Sequence, residues 1–554
     1  MHRLNILLLV LLYQPGLSTA ATPPQAAIAS AHPIATAAGF EILQAGGNAF
    51  DAAVAVSATT AVVEPYSSGI GGGGFWLLHR AKDGKQVMID GREKAPLAAH
   101  RDMYLDTMGK VIPNLSVDGP LAAGIPGEPA ALVHISKKYG RLPLSQSLAP
   151  AIRAAQEGFK VTAHYQRMAK FRLQALRASP AAARIFLKDN DIPSLGYVIK
   201  QLDLAKTLMA LAKNGHAGFY SGAVAKRLVV GNRAAGGNWS LHDLSSYKII
   251  ERKPLTTTYH GYRVTSVAPP SSGGVALIQI LNMLGGFDLQ QLSPVKRKHL
   301  IVEAMRRAYR DRAEFLGDSD FVKVPINKLI DRKYADQLRS TIDLNKATPS
   351  SELKPVASKD SGFHTTHFSI LDKEGNRVSA TLSINYPFGS CFVPPGSGVL
   401  LNDEMDDFSA KPGIPNVYGL VGAEANAIAP GKRMLSSMSP SFVENENHLA
   451  IIGTPGGSRI ITMVLHGILS FIDGKDAKSI VDQARYHHQY LPDHIQYEAG
   501  ALTEAEITAL QRQGHALKAL DDVYGNMHIV IWNKKQTRVS AASDKRGEGQ
   551  ALVR

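Results

Sequence analysis

Two stretches near the start of the chain carry apolar residues on nearly every turn of a helix. They predict helices over His32–Gln44 and Ala49–Val63, rich in Ala and Val and so buried. Gly46-Gly47 closes the first, Asn48 caps the second and Pro65 stops it. The period then changes to two. Phe75 to Arg80 and Val87 to Asp90 read as strands joined through Lys82-Asp83-Gly84. From about residue 120 to 345 the pattern is mostly helical, with Leu142–Glu157, Leu202–Asn214, Val275–Leu284 and Arg297–Leu316 as the clearest segments. The segment 364–385, HTTHFSILDKEGNRVSATLSIN, returns to alternation and reads as a β-hairpin turning at Asp372-Lys373-Glu374-Gly375-Asn376. Strand His448–Gly453 and helix Ile460–Phe471 follow, joined by Thr454-Pro455-Gly456-Gly457-Ser458-Arg459.

The hairpin register places chemistry. If its turn centres on Glu374, Thr365 lies opposite Ser383, with Asn385 two residues on and on the same face. Two hydroxyls then meet at the head of a strand, where one could act as a nucleophile. Taken alone, the hairpin is better explained by the ordinary preference of Thr for strands and of Thr–Ser pairs for sheets. Arg92, in Asp90-Gly91-Arg92-Glu93 just past a strand end, could fork onto a carboxylate, but by itself it reads as half of a surface salt bridge. Ser67 to Trp76 contains four consecutive glycines. They precede a strand and no Lys-Ser/Thr follows, which excludes a phosphate loop and leaves close approach of backbone to backbone or ligand.

Three further stretches keep alternatives open. Leu401 to Ser409 is acidic. Glu404 and Asp407 could hold an ammonium group, or the turn could be solvated; the spacing does not fit an EF-hand. Gly456-Gly457 has the geometry to aim N–H groups at an oxyanion, or is a plain strand-to-helix turn. Pro269 to Gly274, before an apolar helix, could receive an anion. Pro412 to Gly422, with Tyr418 at its centre, reads as a mobile loop, and Pro355 to Gly362 as an exposed link of the kind a processing site needs. His487-His488 and His364/His367 bring no third ligand at metal spacing and are expected to be structural, with His367 on the Thr365 face.

Composition narrows the class. The 554 residues are 45% hydrophobic and 19% charged, enough for a large core. A single cysteine, Cys391, rules out a disulfide framework. Arg3 followed by the apolar run Ile6–Tyr13 and Ser18-Thr19-Ala20 predicts a cleaved signal over residues 1–20, and no later stretch is long and apolar enough to be a transmembrane helix. Net charge is +14. From Thr365 onward 17 Lys+Arg face 20 Asp+Glu, a net of −3, so the earlier part carries 44 against 27, or +17. The basic residues are scattered and aromatics are only 7%, which argues against nucleic-acid binding.

Together, GGNAFDAAVA (46–55), GIGGGGF (69–75), DGRE (90–93), PPSSGG (269–274), TTHFS (365–369), NDEMDDFSAKPG (402–413), LSSMSP (435–440) and GTPGGSRII (453–461) resemble the γ-glutamyltranspeptidase (glutathione hydrolase) family. The resemblance runs from about Ile34 to the C-terminus. It implies an α+β fold, the αββα four-layer sandwich of N-terminal nucleophile hydrolases. It also implies a precursor cut between His364 and Thr365 into a large subunit (21–364) and a small subunit (365–554) that together build one catalytic unit. Thr365 would be the nucleophile, Ser383 its supporting hydroxyl (Thr in many members), and Gly456 and Gly457 the oxyanion hole. Asn385, Glu404 and Asp407 would hold the α-amino end of a γ-glutamyl group, and Arg92, Ser436 and Ser437 its carboxylate. Position 404 is Gln in some members. Tyr418 falls in the lid loop.

The implied partners are glutathione or other γ-glutamyl compounds and amino-acid or peptide acceptors, in a periplasmic or secreted setting, with no cofactor and no metal. Two alternatives are a glutaryl or cephalosporin-type acylase of the same fold, which would not need Asp407, and an inactive surface binding protein.

Overall fold

The computed structural model describes residues 22–353 and 365–554. The expected signal over 1–20, the link Pro355–Gly362 and His364 lie outside the described residues. Two sheets stack face to face. The first has seven strands, in the order Gln550–Val553, Ala27–Ser30, Thr366–Leu371, Arg377–Ser383, Gly73–Arg80, Lys85–Gly91 and Ile250–Arg252. The second has six, Arg538–Ser543, His528–Asn533, His448–Gly453, Ser441–Glu444, Tyr262–Ser266 and Leu255–Tyr259. Neighbouring strands within each are antiparallel.

Alternation along the central strands builds the layers. Ile28, Trp76, Leu78, Ile370, Val378 and Ala380 point to one core, shared with helices Pro33–Gln44 and Ala49–Val63. Ala27, Ala29, Phe75, Leu77 and Leu371 point to the other, which includes the facing sheet and helices Gly273–Leu284, Pro294–Phe315 and Ile460–Ile472. The result is the αββα sandwich. Layers cover these strands on both faces, so residues 366–371 and 377–383 are buried throughout, and polar side chains such as His367, Ser369 and Ser379 are hydrogen-bonded inside.

The hairpin forms in the expected register: Arg377 pairs with Leu371 and Leu382 with Thr366. Its turn is fixed by Asp372, whose carboxylate accepts from the Glu374 and Asn376 N–H groups and, from outside the turn, from Ala49 N–H. Asn48 caps Ala49–Val63 in a reciprocal capping box with Asp51. The glycine run serves close backbone approach. A Cβ on Gly71 would lie 2.1 Å from the Leu400 carbonyl oxygen, and one on Gly72 would lie 2.1 Å from that of Ser383.

Candidate active site

Thr365 heads the strand Thr366–Leu371 near the centre of the first sheet and is buried. Its Oγ1 lies 3.5 Å from Ser383 Oγ, the partner that the hairpin register requires. Ser383 Oγ also accepts the Asn385 N–H at 2.7 Å. Asn385 takes a positive φ of 75°, which Asn tolerates better than most residues, and its amide donates to the Asp403 carbonyl at 3.1 Å. The end of the hairpin is thus tied by a hydrogen bond to the acidic loop, which the chain reaches only after residues 386–400.

Asn402 anchors that loop. Its amide donates to the carbonyls of Gly71 (2.7 Å) and Gly124 (2.8 Å), and its oxygen accepts from Gly124 and Glu404 N–H. A short 3-10 turn, Glu404–Asp407, then aims two carboxylates at Arg92. Arg92 Nη1 sits 2.5 Å from Glu404 Oε2 and 3.5 Å from Glu93 Oε2, Nη2 pairs with Asp407, and Nε donates to the Met434 carbonyl. The surface salt bridge expected for Arg92 alone is thus corrected: its side chain is 1% exposed. Local patterning could not show this, because the carboxylates that neutralise it arrive from more than 300 residues later.

One guanidinium faces three carboxylates here. Burial pushes Glu404 up to about 8, against the pull of Arg92 and with Asp407 adding to the rise. Burial, reinforced by Glu404, holds Glu93 well above the usual carboxylate range. Burial opposes the charge on Arg92, but Glu404 and Asp407 outweigh it and keep it protonated. The cluster therefore holds protons that solvated carboxylates would release at neutral pH. Neither Glu93 oxygen meets a hydrogen-bond donor among the described residues.

Ser436 and Ser437 enter from the opposite side. Ser272 N–H and Oγ–H both donate to the Ser436 carbonyl (2.8 and 2.6 Å), and Ser436 N–H donates to Pro270. The stretch 269–274 is thus a brace for the serine pair, which differs from the anion-receiving helix start considered for it. Arg312 completes the brace, donating to Ser272 Oγ (3.0 Å) and Ser437 Oγ (3.2 Å).

Gly456 and Gly457 join strand His448–Gly453 to a short 3-10 turn and helix Ile460–Ile472, as expected, with φ of 139° and 56°. Tyr418 closes over Gly457: a Cβ there would lie 2.6 Å from its ring. Its hydroxyl donates to the Asn385 carbonyl at 2.8 Å, and the ring is buried.

Arg92, Thr365, Ser383, Asn385, Glu404, Asp407, Tyr418, Ser436, Ser437 and Gly457 line one small cavity of about 20 Å³. Gly456 does not; it lines a larger cleft on the far side of the same turn. His367 stays out of the cavity and is buried between Thr381 Oγ1 (2.8 Å) and Ser369 Oγ (3.2 Å). His487 and His488 likewise meet Thr462, Gln489 and Asp493. Sequence reasoning assigned nothing to Glu93, Arg312 or Glu64. Glu93 stood inside a quoted motif and could have been found there. Arg312 and Glu64 carried no local signal.

A hydroxyl heading a central strand of an αββα sandwich, with a polar pocket before it and a glycine turn beside it, defines an N-terminal nucleophile hydrolase. The family model described as gamma-glutamyltranspeptidase matches residues 35–554. The glutathione hydrolase proenzyme of Escherichia coli K12 is 42% identical over 514 residues, covering 92% of this chain and 88% of its own. Among solved structures, the cephalosporin acylase from Bacillus halodurans superposes with a TM-score of 0.83 at 26% identity, covering 96% of both chains. Helicobacter pylori gamma-glutamyltranspeptidase is 43% identical with a TM-score of 0.58, covering 59% of this chain and 94% of its own. The chain belongs to the γ-glutamyltranspeptidase family, and it is an enzyme.

Proposed function

We propose that this protein is a γ-glutamyltranspeptidase/glutathione hydrolase made as a self-cutting precursor. In the precursor the Thr365 hydroxyl attacks the His364 carbonyl carbon. The C–N bond between them breaks as the ester to Oγ forms, and water opens that ester. Thr365 is left with a free α-amine. An α-amine ordinarily titrates at about 7.7–8.0, so a useful fraction is neutral near pH 7 and can take the proton of its own hydroxyl. The freed hydroxyl then takes the γ-glutamyl group from glutathione or a γ-glutamyl amide as an ester. Water, or the amine of an amino acid or peptide, releases it.

The observation that carries this reading is the pairing of Thr365 and Ser383 hydroxyls beside a guanidinium–carboxylate cluster that matches a zwitterion. The glutamyl α-carboxylate would replace Glu404 on Arg92, assisted by Ser436 and Ser437. Its ammonium would lie on Glu404, Asp407 and Asn385. Such a site rejects acyl groups lacking either charge, because a buried partner would go unpaired. Gly456 and Gly457 would supply N–H groups to the oxyanion, and Tyr418 would open and close the pocket.

The glutaryl or cephalosporin acylase reading suits the likeness to the Bacillus halodurans enzyme, but a glutaryl group brings no ammonium to meet Glu404 and Asp407, the feature the γ-glutamyl reading uses. Side-by-side turnover of γ-glutamyl and glutaryl anilides separates the two. An inactive binding protein would run as one uncut chain on a denaturing gel. We further propose that residues 1–20 are removed and that the protein works in the periplasm or secreted.

Thr365→Ala tests the core of the reading. The expected result is a single uncut chain that releases no aniline from a γ-glutamyl anilide. A variant that still splits and turns over refutes it.

A further inference from the structure

The basic residues are spread singly along the sequence, but the fold gathers them. Residues 137–234 hold 17 Lys+Arg against 4 Asp+Glu, a net of +13, while the rest of the chain is balanced at 44 against 43. These residues build the helices Leu144–Glu157, Ala163–Phe171, Leu173–Ala178, Pro180–Phe186, Leu202–Asn214 and Gly222–Ala234. All of them pack through one core on the side of the first sheet that faces away from the second. One outer layer therefore carries nearly the whole net charge.

Within that layer a single turn presents apolar side chains to water. Tyr197 N–H donates to the Ser194 carbonyl at 3.1 Å, closing a β-turn with Leu195 and Gly196 at its centre and Gly196 at a φ of 79°. Leu195 is 63% exposed, Val198 40% and Tyr197 36%. The backbone around them is held in place. Gly196 N–H donates to the Val161 carbonyl, Val161 N–H to that of Tyr197, and the Gln166 amide to that of Pro193, each at 2.8 Å. The two-stranded ribbon beside the turn fixes which way it faces. Phe159 pairs with Ile199 and both are buried; Lys160 pairs with Val198 on the other face and both are exposed.

Cations surround this tip. Arg177, Arg184 and Lys188 line one open depression of about 570 Å³ together with Tyr197. Asp189 and Asp191, the only acids between residues 158 and 202, pair with Lys188 and Arg177. No ion pair among the described residues involves Lys160, Arg184 or Lys200. A nucleic acid would match the charge but leave an aliphatic tip in water. An anionic bilayer satisfies both features, because its headgroups attract the cations and its acyl boundary takes the apolar side chains.

We propose that this layer docks peripherally on a membrane surface rich in anionic phospholipid. Leu195, Tyr197 and Val198 enter the interface, and Lys160, Arg184 and Lys188 meet lipid phosphates. Docking is independent of the γ-glutamyl-transfer reading.

Co-sedimentation of the self-cleaved protein with lipid vesicles tests this. Phosphatidylcholine vesicles containing about 30 mol% phosphatidylglycerol are expected to bind it about tenfold or more tightly than phosphatidylcholine alone. That preference should shrink severalfold between about 0.05 and 0.3 M salt. Arg184→Glu/Lys188→Glu is expected to weaken binding to the anionic vesicles about tenfold or more, and Leu195→Asp about fivefold or more. Lys323→Glu/Lys535→Glu makes the same change in net charge on exposed lysines outside the layer, and should weaken it no more than about twofold. All of these are surface changes, and a thermal melt matching that of unaltered protein verifies each fold. Equal binding to both kinds of vesicle, or equal loss from the two charge-reversed pairs, overturns the assignment. So does a Leu195→Asp variant that binds as tightly as unaltered protein, which would leave a face for soluble polyanions such as duplex DNA.

Discussion

The guanidinium–carboxylate cluster makes glutamate binding a proton-release reaction. In the folded pocket Glu404 sits against Arg92 at 2.5 Å with Glu93 and Asp407 beside the same guanidinium, and burial raises its pKa to about 8. If an ammonium is held only by the ionised carboxylate, the site must first give up that proton. At pH 6, about two units below the pKa, roughly one molecule in a hundred has Glu404 ionised, so binding is about 100-fold weaker than on the alkaline plateau, or about 2.7 kcal/mol. The sign follows from the direction of the shift: a raised carboxylate pKa weakens binding as pH falls and restores it as pH rises through about 8. Calorimetry with L-glutamate on the self-cleaved protein, in two buffers of different ionisation enthalpy, counts the protons. About one proton should be released per glutamate near pH 6.5, declining towards none above about 8.5. Glu404→Gln keeps an acceptor oxygen but cannot titrate. It should release almost no proton and bind about tenfold or more weakly on the plateau, the usual size of a lost charge-assisted bond. Proton release that persists in Glu404→Gln, or none in the unaltered protein, would show that Glu404 is not the group that meets the ammonium.

Other perturbations reach different parts of the site. Ser383→Ala removes the hydroxyl beside Thr365 and strands the Asn385 N–H, which now donates to it at 2.7 Å. Self-cleavage followed on gels should slow about tenfold or more, with Ser383→Thr restoring it; a normal rate in the alanine variant would remove Ser383 from the mechanism. Tyr418→Phe loses the 2.8 Å bond to the Asn385 carbonyl, worth about 1 kcal/mol. KM for the donor should rise a few-fold with kcat little changed, and an unaltered KM would mean that this bond does not hold the loop closed. Glu64 titrates at about 8 in the fold through burial, against an ordinary 4.5. Its charge therefore costs nothing below about pH 4.5, progressively more up to about pH 8, and on the order of several kcal/mol above that. Glu64→Gln should raise Tm at pH 8.5 but not at pH 4, and an equal shift at both values would contradict it.

The helices were legible because their period is local. Ala49–Val63 and Leu202–Asn214 form over the expected residues, and Leu142–Glu157 and Arg297–Leu316 within a few residues of each end. The hairpin was legible for the same reason: a short turn fixes the register of both arms, so Thr365 and Ser383 could be paired by counting. Strands Ala27–Ser30 and Gln550–Val553 were not singled out. They pair with one another across more than 500 residues, and a four-residue segment is too short to show a periodicity of its own. Leu255–Tyr259 (LTTTY) and Tyr262–Ser266 (YRVTS) did carry strand-favouring Thr, Tyr and Val, but they lie inside a stretch whose overall period is helical, and that wider pattern masked them.

What the chain's order of residues determined is therefore whatever a turn or a helix repeat can enforce: the hairpin, its hydroxyl pair, and the glycine turn after His448–Gly453. The set of motifs added the family and its expected site. The charge state of that site was settled only by folding. Arg92, Glu93, Glu404 and Asp407 are ordinary surface residues by type. They become a proton-holding cluster because a glycine loop, a 3-10 turn and a braced serine segment converge on one dry point, and removing water is what makes each charge depend on the others.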